Sequence, residues 1–206
     1  MLPTRHYTTT DEEEVRRLVR ENPWVGYVSP TAAGLVASHY PTLLEEDADG
    51  LSIVTHFGRP DDELHELGRH EMLAIVQGPH GYVSPNWYAE GDFIPTWNHV
   101  TAHLYGVPEA LGPEENFAVL QRLVDHFERG MPTPLSLAYD EEYARRVARG
   151  TVGVRLRVTR FEARLKLSQN KTQDVRETII AALRGDGRYA SPALADEMAR
   201  VRSVRE

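Results

Sequence analysis

Histidine is the residue type in this sequence best suited to chemistry, because the chain contains nine histidines and no cysteine. His99 and His103 lie four residues apart in an alternating segment that predicts a β-strand, which places both on one face. Four residues of extended chain span about 13 Å, too far for both imidazoles to bind one metal ion. With no histidine pair four apart on a predicted helix and no Cys/His cluster, the sequence does not support a zinc site.

The elements that position these residues follow from hydrophobic periodicity and turn residues. Thr10 and the three acidic residues after it form a capping box that begins a helix, and Asn22-Pro23 ends that helix. Residues 78–95 are rich in glycine, proline and aromatic residues, so they predict a structured loop, and a change of parity near Arg160 predicts a β-bulge. Strands are predicted at residues 24–29, 35–40, 51–57, 72–77, 97–107, 151–158 and 161–167, and further helices at residues 61–69, 113–127, 140–149, 171–183 and 192–204.

Closely spaced strands with peripheral helices are typical of an α+β fold built on a closed or nearly closed barrel. A chain of 206 residues suits one large domain with an appendage. We therefore predict a barrel domain over residues 1–185 and a C-terminal helical tail over residues 186–206.

Composition narrows the function classes. Residues 1–7 lack the basic and apolar blocks of a signal peptide, and no apolar run approaches the about 18 residues that span a bilayer. Together with the absence of cysteine, this predicts a cytoplasmic protein with no membrane partner. A formal net charge of -8 repels DNA and the sequence shows no convincing helix-turn-helix pattern, so no nucleic-acid partner is expected.

Three stretches carry a resemblance to a known family: residues 77–88 (Gln-Gly-Pro-His-Gly-Tyr-Val-Ser-Pro-Asn-Trp-Tyr), residues 95–98 (Pro-Thr-Trp-Asn) and residues 166–170 (Lys-Leu-Ser-Gln-Asn). In order and spacing they are similar to motifs of the FMN-binding negative transcriptional regulator (PaiB) family. The resemblance extends from about Leu2 to Leu183. It implies an FMN-binding split β-barrel with peripheral and C-terminal helices, usually a homodimer with cofactor sites at the subunit interface.

Residues 58–67 depart from the family pattern. Flavin-binding relatives carry a basic residue and then Asn-Pro-x-Trp in this stretch, whereas this chain reads Gly-Arg-Pro-Asp-Asp-Glu-Leu-His-Glu-Leu. The tryptophan is absent, and carboxylates beside an FMN phosphate would repel it. In this respect the chain resembles the haem-dependent piperazate synthase branch of the family, whose members cyclise N5-hydroxyornithine by forming an N–N bond. That resemblance implies haem b as the cofactor and a small amino acid as the substrate.

The resemblance also implies candidate site residues. Haem iron accepts histidine as a protein ligand. His65 lies on the segment that holds the flavin in relatives, so it is the first candidate for the metal ligand, with His56 and His70 as the others. The catalytic base remains open among His99, His103 and Glu66.

Cations are needed for the anionic groups of either cofactor and for the substrate carboxylate. Lys166 is the better candidate because it lies in a family-matching motif, and Arg155 is the other; Arg155 and Arg157 equally fit a solvated strand face. The aromatic residues of the motifs line a planar slot or pack a dimer core. The residues predicted to contact the cofactor, besides the three histidines, are Trp87, Tyr88, Trp97, Asn98, Lys166, Ser168 and Gln169.

Two further functions remain open at this point. The first is an FMN-binding transcriptional regulator without catalysis, which would need a basic element facing DNA. The second is an FMN-dependent oxidoreductase. The leading candidate, the haem-dependent N–N bond-forming enzyme, differs from both of these functions in its cofactor. An absorption spectrum distinguishes haem from flavin.

The resemblance predicts a homodimer, because split-barrel cofactor sites are built from two chains and a monomer would expose half of an apolar pocket. Light scattering of the cofactor-loaded protein should give about twice the chain mass of 23.3 kDa. A monomer that retains its cofactor would contradict this prediction.

Overall fold

The computed structural model describes residues 6–46, 49–88 and 93–201. Within these residues the strands are β1 (Thr8–Thr9), β2 (Trp24–Thr31), β3 (Gly34–Leu44), β4 (Ser52–Gly58), β5 (Met72–Val83), β6 (Thr96–Gly106), β7 (Pro108–Ala110), β8 (Thr151–Arg157) and β9 (Arg160–Lys166). The α-helices there are α1 (Glu12–Glu21), α2 (Asp61–Leu64), α3 (Pro113–Glu128), α4 (Glu141–Ala148), α5 (Gln173–Arg184) and α6 (Pro192–Arg200). The predicted α+β class is confirmed.

Contacts between residues group the chain into two compact units. The first unit comprises Met1–Asp11, Gln77–Ala102 and Glu162–Glu206, and the second comprises Glu12–Val76 and His103–Phe161. The predicted boundary between residues 185 and 186 stays a prediction. No helix in the described ranges is both long enough and apolar enough to cross a membrane.

The second unit contains a sheet whose hydrogen-bonded order is β5-β2-β3-β4-β8-β7. The β2–β3, β2–β5, β3–β4, β4–β8 and β7–β8 pairs are antiparallel. β2 buries Val25, Tyr27 and Ser29, because alternate residues of a strand point to the same face. Helix α3 packs Val119 and Leu123 on the other side of the sheet, where they join one buried apolar cluster.

The first unit contains the strand order β1-β9-β6-β5. β6 alternates as predicted: Asn98, Val100 and Ala102 are buried, and His99 and Thr101 between them are half-buried. Helices α5 and α6 lie in the same unit and pack together. The fully buried apolar side chains of these two helices include Ile179, Leu183, Leu194 and Met198.

The predicted loop over residues 78–95 is wrong in its first third, because β5 continues to Val83. Its glycines and prolines were interpreted as turn signals. Gly81 instead permits close packing within the first unit, since a Cβ there would lie 3.1 Å from a methyl carbon of Leu194. A glycine inside a strand often marks such a close approach.

Two other predicted elements are shorter or divided. The helix predicted over residues 61–69 ends at Leu64, and the backbone then turns through positive φ at Glu66 and Gly68. A positive φ is incompatible with a continuing right-handed helix. The predicted bulge near Arg160 is a break between two separate strands, β8 and β9. The last predicted helix ends at Arg200, and its final residues lie outside the described ranges.

Candidate functional site

His65, the predicted metal ligand, lies in the turn after α2 and is only 1% exposed. Its Nδ1 is 2.9 Å from Ser29 Oγ, and its Nε2 is 3.1 Å from Ser38 Oγ. The ring of Phe57 lies edge-on to the imidazole at a centroid distance of 5.0 Å. Both ring nitrogens of His65 therefore have protein partners in the second unit.

Asp61 continues this hydrogen-bond chain. Its Oδ2 accepts from Ser38 Oγ at 2.7 Å and from the Tyr40 hydroxyl at 2.6 Å. The Tyr40 oxygen in turn accepts from the backbone N–H of Gly58 at 3.1 Å. A serine hydroxyl has one proton to donate, so Ser38 accepts the bond from His65 Nε2–H. A neutral His65 then accepts from Ser29 at Nδ1, which fixes the tautomer.

The pKa values in this chain agree with that assignment. Hydrogen bonds from Tyr40 and then Ser38 lower the pKa of the Asp61 carboxyl, so Asp61 remains ionised. Burial lowers the pKa of His65 despite the opposing charge of Asp61, so its imidazole remains neutral. Burial and the hydrogen bond to Asp61 raise the pKa of Tyr40 to about 12. The network thus carries one negative charge, on Asp61.

The other acidic residues of the same segment have partners of their own. Asp62 accepts a hydrogen bond from Arg59, and Glu66 Oε2 lies 2.7 Å from His70 Nε2. Glu66, a candidate catalytic base, forms hydrogen bonds with His70 and with the backbone N–H of Ala32. The carboxylate linked to His65 is Asp61, through Ser38.

His56 differs from His65 in its hydrogen bonding. It lies on β4 and is half-buried, and its Nδ1 is shielded from solvent with no hydrogen-bond partner in the described structure. Burial lowers the pKa of this imidazole, and its ring is tilted against Tyr40 at 6.0 Å. A neutral imidazole nitrogen without a partner is available to a metal ion.

Arg155, one candidate for binding a substrate carboxylate, is engaged by acidic residues of its own unit. Its Nε donates to Glu45 at 2.9 Å, and its Nη1 is 3.5 Å from Glu109 and 3.4 Å from Glu115. These contacts raise the pKa of the guanidinium, with the Glu45 hydrogen bond as the largest cause. The structure places His103 in the same unit, half-buried on β6.

A group of aromatic and cationic side chains lies in the first unit, and we call it the β5–β6–β9 face. It comprises His80 on β5, Trp97 and His99 on β6, and Arg164 and Lys166 on β9. Trp97 is 51% exposed and stacks on His80 with centroids 5.9 Å apart and an interplanar angle of 27°. Trp97 Nε1–H also donates to His80 Nδ1 at 3.2 Å.

The electrostatics of this face come from neighbouring cations. Burial lowers the pKa of Lys166, and the charge of Arg164 lowers it further. Burial also lowers the pKa of His99, with smaller contributions from Arg164, Lys166 and His80. Since these charges disfavour one another, an anion bound among them would be stabilised.

Three of the residues predicted to bind the cofactor form hydrogen bonds within the protein. Asn98 Nδ2 donates to Ser168 Oγ at 2.9 Å, and both residues are buried. Gln169 Nε2 donates to the Leu165 carbonyl at 2.6 Å, and its Oε1 accepts from the Leu167 N–H at 2.8 Å. These bonds hold the turn after β9. Helix α5 follows this turn, with Thr172 at its N-cap position.

Trp87 and Tyr88 lie at the end of the short 3-10 helix Pro85–Trp87, and both are half-buried. The ammonium group of Lys171 lies 4.4 Å from the centroid of the Tyr88 ring. Among the described residues no three His, Asp or Glu side chains form a group able to hold a metal ion.

The sequence analysis missed the network partners Ser29, Ser38, Tyr40 and Asp61. A signal was present, because Ser29 and Ser38 occupy inward positions of alternating strands where apolar residues are usual. Arg164 and His80 were not among the residues predicted to contact the cofactor. Their proximity depends on the pairing of β5, β6 and β9.

Comparisons with solved structures define the class of fold. The structure of the FAD and haem binding protein from Mycobacterium smegmatis matches with a TM-score of 0.61 at 19% identity, covering 89% of this chain and 82% of that chain. The flavocytochrome Anf3 from Azotobacter vinelandii matches with a TM-score of 0.60 at 14% identity, covering 79% of this chain and 72% of that chain. The split-barrel fold predicted from the sequence is confirmed.

The family follows from the sequence itself. A family model described as "Putative FMN-binding domain" matches residues 1–160, and the chain belongs to that family. The Bacillus subtilis (strain 168) protein named "Protease synthase and sporulation protein PAI 2" is 27% identical over 199 residues, which cover 94% of each chain. The predicted membership of the PaiB-like family is confirmed.

Burial of neutral His65 makes stability depend on pH. In the unfolded chain His65 has an ordinary histidine pKa of about 6.5, whereas burial lowers its pKa in the folded protein. The unfolded chain therefore binds a proton at this residue more readily than the folded protein does. The stabilisation associated with neutral His65 is present above that pH and decreases as pH falls below it. Between about pH 7.5 and about pH 5.5, the free energy of unfolding in urea should fall less for His65→Gln than for the wild type.

Ser29→Ala is the matched control for this measurement, because it removes one hydrogen bond and keeps the buried imidazole. It should lower stability at every pH while retaining the wild-type dependence on pH. Equal pH dependence in His65→Gln and the wild type would contradict the assignment of a neutral buried His65.

Proposed function

We propose that the β5–β6–β9 face binds FMN and that the protein is a flavin-dependent oxidoreductase. The observation that carries this proposal is the cationic and aromatic composition of that face, which suits a planar cofactor with an anionic tail. Family membership supports FMN as the occupant. The proposal concerns residues of the first unit.

The phosphate of FMN would be held by Lys166 and Arg164. Lys166 Nζ already donates to Thr96 Oγ1, which orients the ammonium group, and burial increases the strength of any charge interaction it makes. A charge-assisted hydrogen bond of this kind contributes about 1.5–3 kcal/mol. Loss of the cation should therefore weaken FMN binding about tenfold to a hundredfold.

The isoalloxazine ring would lie against the exposed indole of Trp97. That indole is fixed by its stack on His80 and by the edge-on ring of Tyr82 at 6.4 Å. A preorganised aromatic surface avoids an ordering cost on binding. FMN, when bound, supplies one-electron and two-electron redox chemistry. His99 has a lowered pKa, so it is mainly neutral near pH 7 and able to accept a proton.

The test compares FMN with riboflavin, which lacks the phosphate. Lys166→Gln should weaken FMN binding about tenfold to a hundredfold in a fluorescence-quenching titration and leave riboflavin binding unchanged. The control Arg157→Gln removes an exposed cation of the other unit and should change neither affinity. Unchanged FMN binding, or equal weakening for both ligands, would contradict the phosphate assignment.

A second candidate is a haem-dependent piperazate synthase-like enzyme, which would cyclise N5-hydroxyornithine with loss of water. The specific observation in its favour is Nδ1 of His56, a buried nitrogen that has no hydrogen-bond partner among the described residues. The names of the two structural neighbours, which state haem binding and a flavocytochrome, also support it. Haem would supply a Lewis-acidic iron, and His99, His103 or Glu66 would accept the proton of the substrate α-amine.

The spectrum of freshly purified protein separates the two candidates, because only haem gives a Soret band. If that band is present, His56→Ala should abolish it, whereas His65→Ala should retain it, since both His65 nitrogens are bonded to serines. Circular dichroism checks that both variants are folded. Loss of the band in His65→Ala alone would restore His65 as the ligand, and flavin bands without a Soret band would exclude the haem candidate.

A further inference from the structure

The second unit contains a cavity of about 400 Å³ that lies apart from the buried histidine network. It is bounded by the start of α3, the end of α4 and the first residues of β8. Cavities of roughly 300–1,000 Å³ are typical of sites for small molecules. Its apolar wall includes Leu111, Phe117 and Val152.

The charged residues around this cavity are mostly cations. Three arginines, Arg59, Arg145 and Arg149, line it together with one carboxylate, Glu114. The whole chain carries a formal charge of -8, so this excess of cations is a local feature. Guanidinium groups suit carboxylate and phosphate ligands because they donate two parallel hydrogen bonds.

The three arginines differ in their availability. Arg59 pairs with Asp62. Arg145 contacts Glu141 at 2.7 Å and Glu114 at 3.0 Å, and lies over the Phe117 ring at 4.1 Å. Arg149 follows α4, and in the described part of the chain it forms no ion pair. An incoming anion would therefore displace no carboxylate at Arg149, and at Arg145 it could replace the exposed Glu114.

The cavity wall also contains an unsatisfied polar group. Asn116 is 4% exposed, and its Nδ2 donates to Thr151 Oγ1 at 3.1 Å and to the Ala148 carbonyl at 3.3 Å. Its Oδ1 is shielded from solvent and accepts no hydrogen bond from the described residues. Buried acceptors of this kind are uncommon, and a ligand that carries a donor would satisfy this one after a small movement of the wall.

We propose that this cavity binds a small organic anion with an apolar body and a carboxylate or phosphate head. The head would contact Arg149 and Arg145, beside the first turn of α3. The body would pack against Phe117, Leu111 and Val152. This inference is independent of the proposed flavin function, because it involves no residue of the β5–β6–β9 face.

The experiment is a calorimetric titration of the whole protein with phenyl phosphate, benzoate and inorganic phosphate. An aromatic anion should bind about tenfold more tightly than inorganic phosphate, because only the aromatic probe covers the apolar wall. Tighter binding of phenyl phosphate would indicate a phosphate head, and tighter binding of benzoate a carboxylate head. Failure of all three probes to bind at millimolar concentrations would overturn the proposal.

Variants then locate the site. Arg149→Gln should weaken the tighter aromatic probe about tenfold or more, and it leaves the fold intact because Arg149 is exposed. The matched control Arg129→Gln, at another exposed arginine of the same unit, should leave affinity unchanged. Equal affinity in Arg149→Gln and the wild type would overturn the proposal.

Lys166→Gln separates this site from the flavin site. It should leave phenyl phosphate binding unchanged, and Arg149→Gln should leave FMN binding unchanged. If Lys166→Gln abolished binding of the aromatic probe, the probe would occupy the β5–β6–β9 face, and the cavity proposal would be wrong.

Discussion

A single carboxylate oxygen, Oδ2 of Asp61, organises the buried polar chemistry of the second unit. It accepts hydrogen bonds from Ser38 and Tyr40 and so connects the short helix α2 to strand β3. Because the Ser38 proton points to Asp61, His65 must donate from Nε2, and Ser29 must donate to Nδ1. The position and tautomer of the buried histidine therefore depend on one ionised carboxylate, whereas its neutral charge results from burial.

This arrangement changes what the unusual segment after β4 means. From the sequence, the acidic residues of this segment were expected to repel an FMN phosphate. In the structure, three of them have hydrogen-bond or ion-pair partners within the second unit: Asp61, Asp62 and Glu66. A carboxylate that is already paired repels an approaching anion less than a free one does. The segment thus serves the internal network, and its acidic residues disfavour a flavin phosphate less than the sequence predicts.

The polar side chains of the family-matching motifs differ in whether they hold the local backbone in place. Three residues of the family-matching motifs hold the turn after β9 through their polar atoms: Asn98, Ser168 and Gln169. Within this turn Ser168 has a φ of 59°. Lys166 and Trp97, in the same motifs, retain a cation and an exposed indole. Some motif residues therefore stabilise the local fold, and the proposed FMN site uses others.

Local periodicity was sufficient for much of the fold. The sequence by itself determined α1, α3, the alternating faces of β6 and the α+β class, because those features depend on apolar residues repeating at helix or strand spacing. It also contained the motifs that place the chain in its family. Only the tertiary structure decided that β5 continues through Gly78 and Gly81, since the need for glycine at position 81 arises from Leu194, far away in sequence. The same holds for the hydrogen bonds of His65 and for the cations gathered beside Arg149, because hydrogen-bond partners and charge clusters depend on which distant residues the fold brings together.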